Sequence, residues 1–297
     1  MRAGTASVRP VPDPEPGAPK LSVLDVSKSF RTTRGEVLPV LERMTFDVAP
    51  GEFVCLLGPS GGGKSTMLGI LAGLERPDAG EVLIDGHPVI GPGPDRAVLF
   101  QDPALFPWMS VRANVEFALK MVGVPAAERR DRAQAWLATV HLSKFADAQP
   151  HELSGGMRQR AALARALACH PDVLLADEPF GPLDAQAREA LQSEVQRVWA
   201  ETGTTFVFVT HNVREAALLA DRVLLMSAAP GRLLEEYRIR APRPRSLENP
   251  LLSRVVADIH DQLELEVRKV VARETGENGG FVGSGGDVED GDGPGLA

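Results

Sequence analysis

The stretch Gly58-Pro59-Ser60-Gly61-Gly62-Gly63-Lys64-Ser65-Thr66 decides how this chain reads. It fits the pattern G-x-x-x-x-G-K-[ST] through Gly58, Gly63, Lys64 and Ser65. The run before it, Phe53-Val54-Cys55-Leu56-Leu57, is continuously apolar, as a strand buried on both faces requires. The run after it, Met67–Leu74, suits a helix that closes on glycine. Strand, glycine loop and helix in that order make an anion cradle. Glycines let the backbone curl closely around a phosphate, and the freed N–H groups and the helix N-terminus point at it. Lys64 can reach the terminal phosphates of a nucleotide, and the Ser65 hydroxyl can hold Mg²⁺.

Working outward, three downstream strands each end in a polar residue: Ala97–Phe100 at Gln101, Val173–Ala176 at Asp177-Glu178, and Thr205–Val209 at Thr210-His211. Ligands of open α/β sheets bind outside the carboxyl ends of the strands. There Asp177 suits a Mg²⁺-water contact and Glu178 a general base for water. Gln101 fits either such a site or an ordinary loop start, and His211 repeats the same placement. Ser154 can cap a helix running to about Ala168, with Gly155 and Gly156 leaving bare N–H groups at its positive end. That is a second anion site or a plain cap. Phe30, in the polar connection Ser27–Arg31, either stacks on a base or packs on its own sheet.

The rest of the chain frames these features. Leu21–Val26, Val37–Val48 and Glu52–Leu57 read as strands of an antiparallel opening. From Gln101 to about Gln149 the pattern is mostly helical, with Ser110 capping one helix and a second over about Ala126–Val140. The loop Asp102–Trp108 is too apolar for a routine solvent loop; it packs under the next helix or forms a partner surface. Arg222–Met226 reads as a strand, Arg232–Ile239 as an edge strand, and Leu247–Arg273 as one or two amphipathic helices. Residues 1–20, rich in proline, and the acidic, Gly-rich 274–297 read as disordered.

Composition sets bounds. At 297 residues and 43% hydrophobic content the chain can form one large domain or two small ones. Cys55 and Cys169 fit reduced thiols in a cytosolic setting. A net charge of −8 argues against broad nucleic-acid affinity. No stretch approaches the roughly 18 apolar residues of a membrane span, and the first twenty residues lack the apolar core of a secretory signal.

Taken in order, these residues resemble the ATP-binding subunits of ABC transporters over about residues 21–240. The resemblance rests on the Walker A loop Gly58–Thr66, the Q-loop Gln101, the signature Leu153–Met157, the Walker B strand Val173–Asp177 with Glu178, the D-loop Gly181–Asp184, and His211. It implies an α/β P-loop ATPase core with a mixed sheet, an N-terminal antiparallel β subdomain and a helical signature subdomain at about 102–165; beyond the resemblance, the amphipathic pattern reads as a C-terminal helical extension at 241–273. It also implies a head-to-tail homodimer with ATP between one Walker A loop and the other subunit's signature. In that picture Phe30 stacks on adenine, and Gly58, Pro59, Ser60, Gly61, Gly62, Gly63, Lys64, Ser65 and Thr66 cradle the phosphates. Ser154, Gly155 and Gly156 bind the γ-phosphate across the dimer. Ser65, Asp177 and Gln101 attend Mg²⁺; Glu178 polarises the attacking water; His211 contacts the γ-phosphate; and Asp184 lies at the dimer interface.

Two positions depart from the pattern. Met157 stands where Gln is commonest, and Pro182 where a small residue is usual, which bears on D-loop mobility. The stretch Phe100–Trp108 and Met226–Arg232 looks like importers for nitrate, sulfonates or taurine. The implied partners are a permease docking near Gln101–Trp108 and, indirectly, an extracytoplasmic solute-binding protein. The implied location is the cytoplasmic face of the inner membrane. An exporter ATPase or a soluble non-transport ABC ATPase is the alternative reading.

Overall fold

The computed structural model describes residues 17–275. Most of the arm expected over residues 1–20, and of the tail expected from residue 274, lies outside the described residues. The chain opens with β1 (Leu21–Arg31), β2 (Val37–Val48) and β3 (Phe53–Leu57). The first two pair antiparallel, Leu21 opposite Val48 and Val23 opposite Phe46. β4 (Ala79–Ile84) lies on the other side of β1, with β5 (His87–Pro88) beyond it, so this sheet runs β2-β1-β4-β5.

β1 is longer than its apolar pattern. Ser27–Arg31, expected as a polar connection, continues the strand to Phe30 opposite Leu38, with register shifts between Val23 and Ser29. Bulges twist a strand without ending its ladder, and an outward-facing stretch can pair through its backbone with no apolar side chains to announce it.

β3 joins a second, mixed sheet with β6 (Arg96–Leu99), β7 (Val173–Asp177), β8 (Thr205–Thr210), β9 (Arg222–Met226) and β10 (Leu233–Arg238), ordered β10-β9-β3-β8-β7-β6. β10 runs antiparallel; the others are parallel. Parallel strands need cover on both faces, which explains the unbroken apolar runs. Phe53, Cys55 and Leu57 enter one core with Phe206, Phe208, Val223 and Leu225. Val54 and Leu56 enter another with Val207, Val209, Leu224 and Met226. Each such fully buried side chain contributes about 1.5–3 kcal/mol.

The second core also holds Met67, Leu68, Ile70 and Leu71 of helix α1 (Lys64–Leu71) and Leu21, Val23, Met44 and Phe46 of the antiparallel sheet, so both sheets close on the helix that follows the glycine loop. The first core takes α2 (Val111–Met121), α3 (Ala126–Thr139) and α4 (Gly155–Leu167), which pack on one another, and α5 (Ala185–Thr202) and α6 (Val213–Leu219). The C-terminal segment is one continuous helix, α7 (Pro250–Thr275). No helix among the described residues is long and apolar enough to cross a membrane.

Candidate functional site

Strand order assembles the site. β3, β8, β7 and β6 lie side by side, and at their carboxyl edge stand Gly58, His211, Asp177-Glu178 and Gln101, all from separate parts of the chain. A cavity of about 290 Å³ opens there, lined by Val40, Ser60, Gly61, Gly63, Lys64, Ser65, Thr66 and Glu178. A larger hollow of about 500 Å³, bounded by Lys20, Gly51, His170, Asp172 and Thr205, lies at the opposite ends of the same strands. It is on the wrong edge for an α/β ligand site.

The glycine loop is held by its neighbours. Gly61 and Gly63 have φ of 75° and 82°, a left-handed turn that opens α1. A Cβ on Gly58 would stand 3.0 Å from the Met226 carbonyl oxygen, and one on Gly62 2.8 Å from that of Ser227. The Lys64 ammonium is buried and donates to the Gly58 and Pro59 carbonyls at 3.0 and 2.8 Å. Burial holds it below the usual lysine range, against the pull of Glu178 and Asp177.

The acids follow. Ser65 Oγ donates to Asp177 Oδ1 at 3.1 Å. Burial pushes the Asp177 carboxyl up, the Ser65 hydrogen bond opposes this, and nearby Glu178 adds to it. Glu178 leaves the strand at φ 41°, a left-handed conformation that a non-glycine residue adopts at some cost. Its carboxylate lies 2.9 Å from His211 Nδ1 and 4.0 Å from Lys64 Nζ. Gln101 points at the next turn: a Cβ on Gly181 would be 3.1 Å from its Nε2.

The other expected residues are placed apart from that cavity. Ser154 caps α4 by accepting the Met157 N–H at 3.3 Å. Gly155 and Gly156 lie against Leu183 and Ala187, and none of the three lines the cavity. Asp184 caps α5 through the Ala187 N–H at 2.9 Å. Phe30 is 39% exposed on β1, with the Lys28 ammonium 5.1 Å from its ring centre.

The loop 102–110 packs against the helices that follow it. Fully buried Asn114 accepts the Phe106 N–H and donates to the Phe106, Met109 and Ser110 carbonyls. Arg165 donates to the Pro103 and Ala104 carbonyls. Trp108, 73% exposed, is left facing out beside Phe106.

Sequence reasoning missed a network behind His211. Thr210 donates to the buried Glu215 carboxylate at 2.8 Å, and burial pushes that carboxyl up. Arg188 lies 3.6 Å from Glu215 and donates to the Leu183 carbonyl, tying the turn 181–184 to the turn after β8. The stretch Met226–Arg232 was noticed only for its importer-like pattern; that Met226–Gly231 walls the glycine loop was not read from it.

A sheet of this order with a glycine loop, two acids and a histidine on its carboxyl edge defines a nucleoside-triphosphatase of the P-loop class. The comparisons narrow the class. The family model described as ABC transporter matches residues 41–181. The nitrate import ATP-binding protein NrtD of Synechocystis sp. is 46% identical over 222 residues, covering 75% of this chain and 83% of that one. The taurine import ATP-binding protein TauB of Burkholderia pseudomallei is 43% identical over 258 residues, covering 87% and 99%. Among solved structures, the dimeric ATP-binding cassette MJ0796 in a post-hydrolysis state with ADP and Pi is similar at 33% identity and a TM-score of 0.66, covering 75% of this chain and all of that one. The chain belongs to the ABC transporter ATP-binding family.

Proposed function

We propose that this chain is the ATP-hydrolysing subunit of an importer for a small anionic or zwitterionic solute of the nitrate, sulfonate or taurine kind. The observation that carries the reading is the convergence of Lys64, Ser65, Asp177, Glu178 and His211 on one sheet edge, with contacts of 2.9 to 4.0 Å linking them. The names of the NrtD and TauB relatives support the solute class.

Gly58–Thr66 cradle the phosphates of ATP and Phe30 stacks on the adenine. The donors fit Mg²⁺: Asp177 and Ser65 offer two hard oxygens, and among the described residues no larger group of His, Cys, Asp and Glu gathers as a cage. Mg²⁺ at phosphate sites takes one or two protein oxygens and fills the rest with phosphate and water. Ser65, Asp177 and, through water, Gln101 would hold it, and when bound it neutralises charge building on the phosphates.

The chain's own groups do the rest. Glu178 accepts hydrogen bonding from the attacking water and orients it in line, His211 fixes the Glu178 carboxylate and the γ-phosphate, and Lys64 counters the charge. Ser154, Gly155 and Gly156, lying outside the cavity of their own chain, serve the γ-phosphate of a second copy in a head-to-tail homodimer. The exposed Trp108 and the loop from Gln101 receive a permease at the cytoplasmic face of the membrane. A solute-binding protein acts through that permease.

Glu178→Gln in the assembled complex tests the core of this. Bound ATP persists while turnover falls by about 100-fold or more. Near-normal ATPase activity in that variant overturns the assignment.

A further inference from the structure

The C-terminal helix α7 carries a polar residue where its pattern calls for an apolar one. Its inward stripe runs Leu252, Val255, Val256, Ile259 and Leu263, at the spacing of one helix face. The next position on that face is Glu266, 4% exposed, while its apolar neighbours Leu265 and Val267 are 50% and 43% exposed. A carboxylate turned inward between two outward apolar side chains is costly unless its oxygens are met. Both are. Glu266 Oε2 accepts the Ala228 N–H at 3.0 Å, and Oε1 is ion-paired with Lys269.

Ala228 belongs to the turn that walls the glycine loop. Ser227 Oγ accepts the Arg232 N–H at 2.9 Å and bonds the Pro230 carbonyl at 2.8 Å, closing the turn on itself. Gly231 donates to Val40 at 2.8 Å and accepts from Glu42 at 3.0 Å, fastening the turn to β2. Its inner surface touches the glycine loop directly: a Cβ on Gly231 would be 2.3 Å from the Gly62 oxygen, and one on Gly62 would be 2.8 Å from the Ser227 oxygen.

We propose that Glu266 is a positioning residue for the phosphate loop: its buried carboxylate anchors Ala228, and through the turn Ser227–Gly231 it sets the wall against which Gly58 and Gly62 rest. The C-terminal helix thereby contributes to nucleotide affinity without touching the nucleotide. The proposal rests on the reading of Gly58–Thr66 as an ATP cradle.

The test compares Glu266→Gln with Glu266→Met in the full chain, titrating a fluorescent ATP analogue with Mg²⁺ and recording thermal unfolding. Gln keeps the acceptor for Ala228. Met keeps the shape, completes the apolar stripe and lacks the acceptor. The Met variant is expected to bind the analogue about fivefold more weakly, a fraction of what a hydrogen bond to a charged group is worth, whichever way its unfolding temperature moves. The Gln variant should stay within about twofold of wild type. A destabilised helix would lower the folded fraction without moving the affinity of folded molecules, so the dissociation constant separates positioning from stability. Should Met prevent folding, Glu266→Leu serves as the second apolar variant. The proposal is overturned if the apolar variant binds as wild type does, or if Gln is as weak as Met. If wild-type protein fails to bind the analogue, the ATP cradle itself is wrong, a different result from either.

Discussion

Replacing Gly231 by alanine asks whether the wall behind the phosphate loop governs nucleotide binding. Gly231 is not in the left-handed region, so alanine meets no backbone penalty there, and the change acts through space alone. The added methyl would stand 2.3 Å from the Gly62 carbonyl oxygen, 3.1 Å from Met226 Cε and 3.2 Å from Leu41 Cδ2. Side chains can yield to the last two. The first is a backbone contact that must open by roughly 0.7 Å or more in a close-packed interior. Gly231 is fastened on both sides, to Val40 and Glu42, so the displacement falls on Gly62.

Overpacking of this kind costs about 1–3 kcal/mol. Reduced freedom of the unfolded chain returns about 0.4–1 kcal/mol of that in folding stability, but the unfolded chain does not enter the binding constant. The strain borne by the loop that receives the phosphates, up to about 1–3 kcal/mol, is expected as a weakening of nucleotide affinity by about 5- to 150-fold. The assay is titration of a fluorescent ATP analogue with Mg²⁺, alongside thermal unfolding. Gly91→Ala is the matched control, since a Cβ there meets nothing within 4 Å. If Gly231→Ala binds as tightly as Gly91→Ala, the wall does not position the loop and the reasoning fails.

Other expectations follow from the same geometry. The Asp177 carboxyl is pushed up mainly by burial, so just above the ordinary aspartate range the folded chain keeps a proton that the unfolded chain has released, and Asp177 costs stability as pH rises through that window. Asp177→Asn should therefore raise the neutral-pH unfolding temperature of nucleotide-free protein and flatten its pH dependence, read by calorimetry across pH 4 to 8, while weakening Mg²⁺-ATP binding; an unchanged profile refutes it. Asp184→Ala removes the cap on α5 and should lower stability by about 1 kcal/mol, or about 2–4 °C in midpoint. Asp184→Ser, which can still cap, should recover most of that, so equal losses in both would show that the cap is not the cause. Trp108→Ala should leave nucleotide affinity unchanged and reduce co-purification with a membrane permease; undiminished recovery would clear this loop of a docking role.

The amino-acid order by itself determined what depends on neighbours in the chain. The apolar run Phe53–Leu57 can be satisfied only by a strand covered on both faces, the glycines of 58–63 only by a tight anion-binding turn, and Ser110, Ser154 and Asp184 each meet the bare N–H groups of the helix that follows. Those are short-range requirements, and side-chain type and spacing express them. Gathering Glu178 and His211 near Lys64, with Gln101 on the same sheet edge, was legible from the motifs as a set, but the contacts themselves come from the strand order β3-β8-β7-β6, which pairs Phe53 with Phe206 across most of the chain. Phe30 lies in a strand rather than a polar connection because backbone ladders are blind to side-chain polarity. Within the amphipathic stretch Leu247–Arg273 the sequence does not single out Glu266. The fold turns it inward because Leu252 and Ile259, at seven-residue intervals before it, commit that face of the helix to the core, and the N–H of Ala228 waits there to be met.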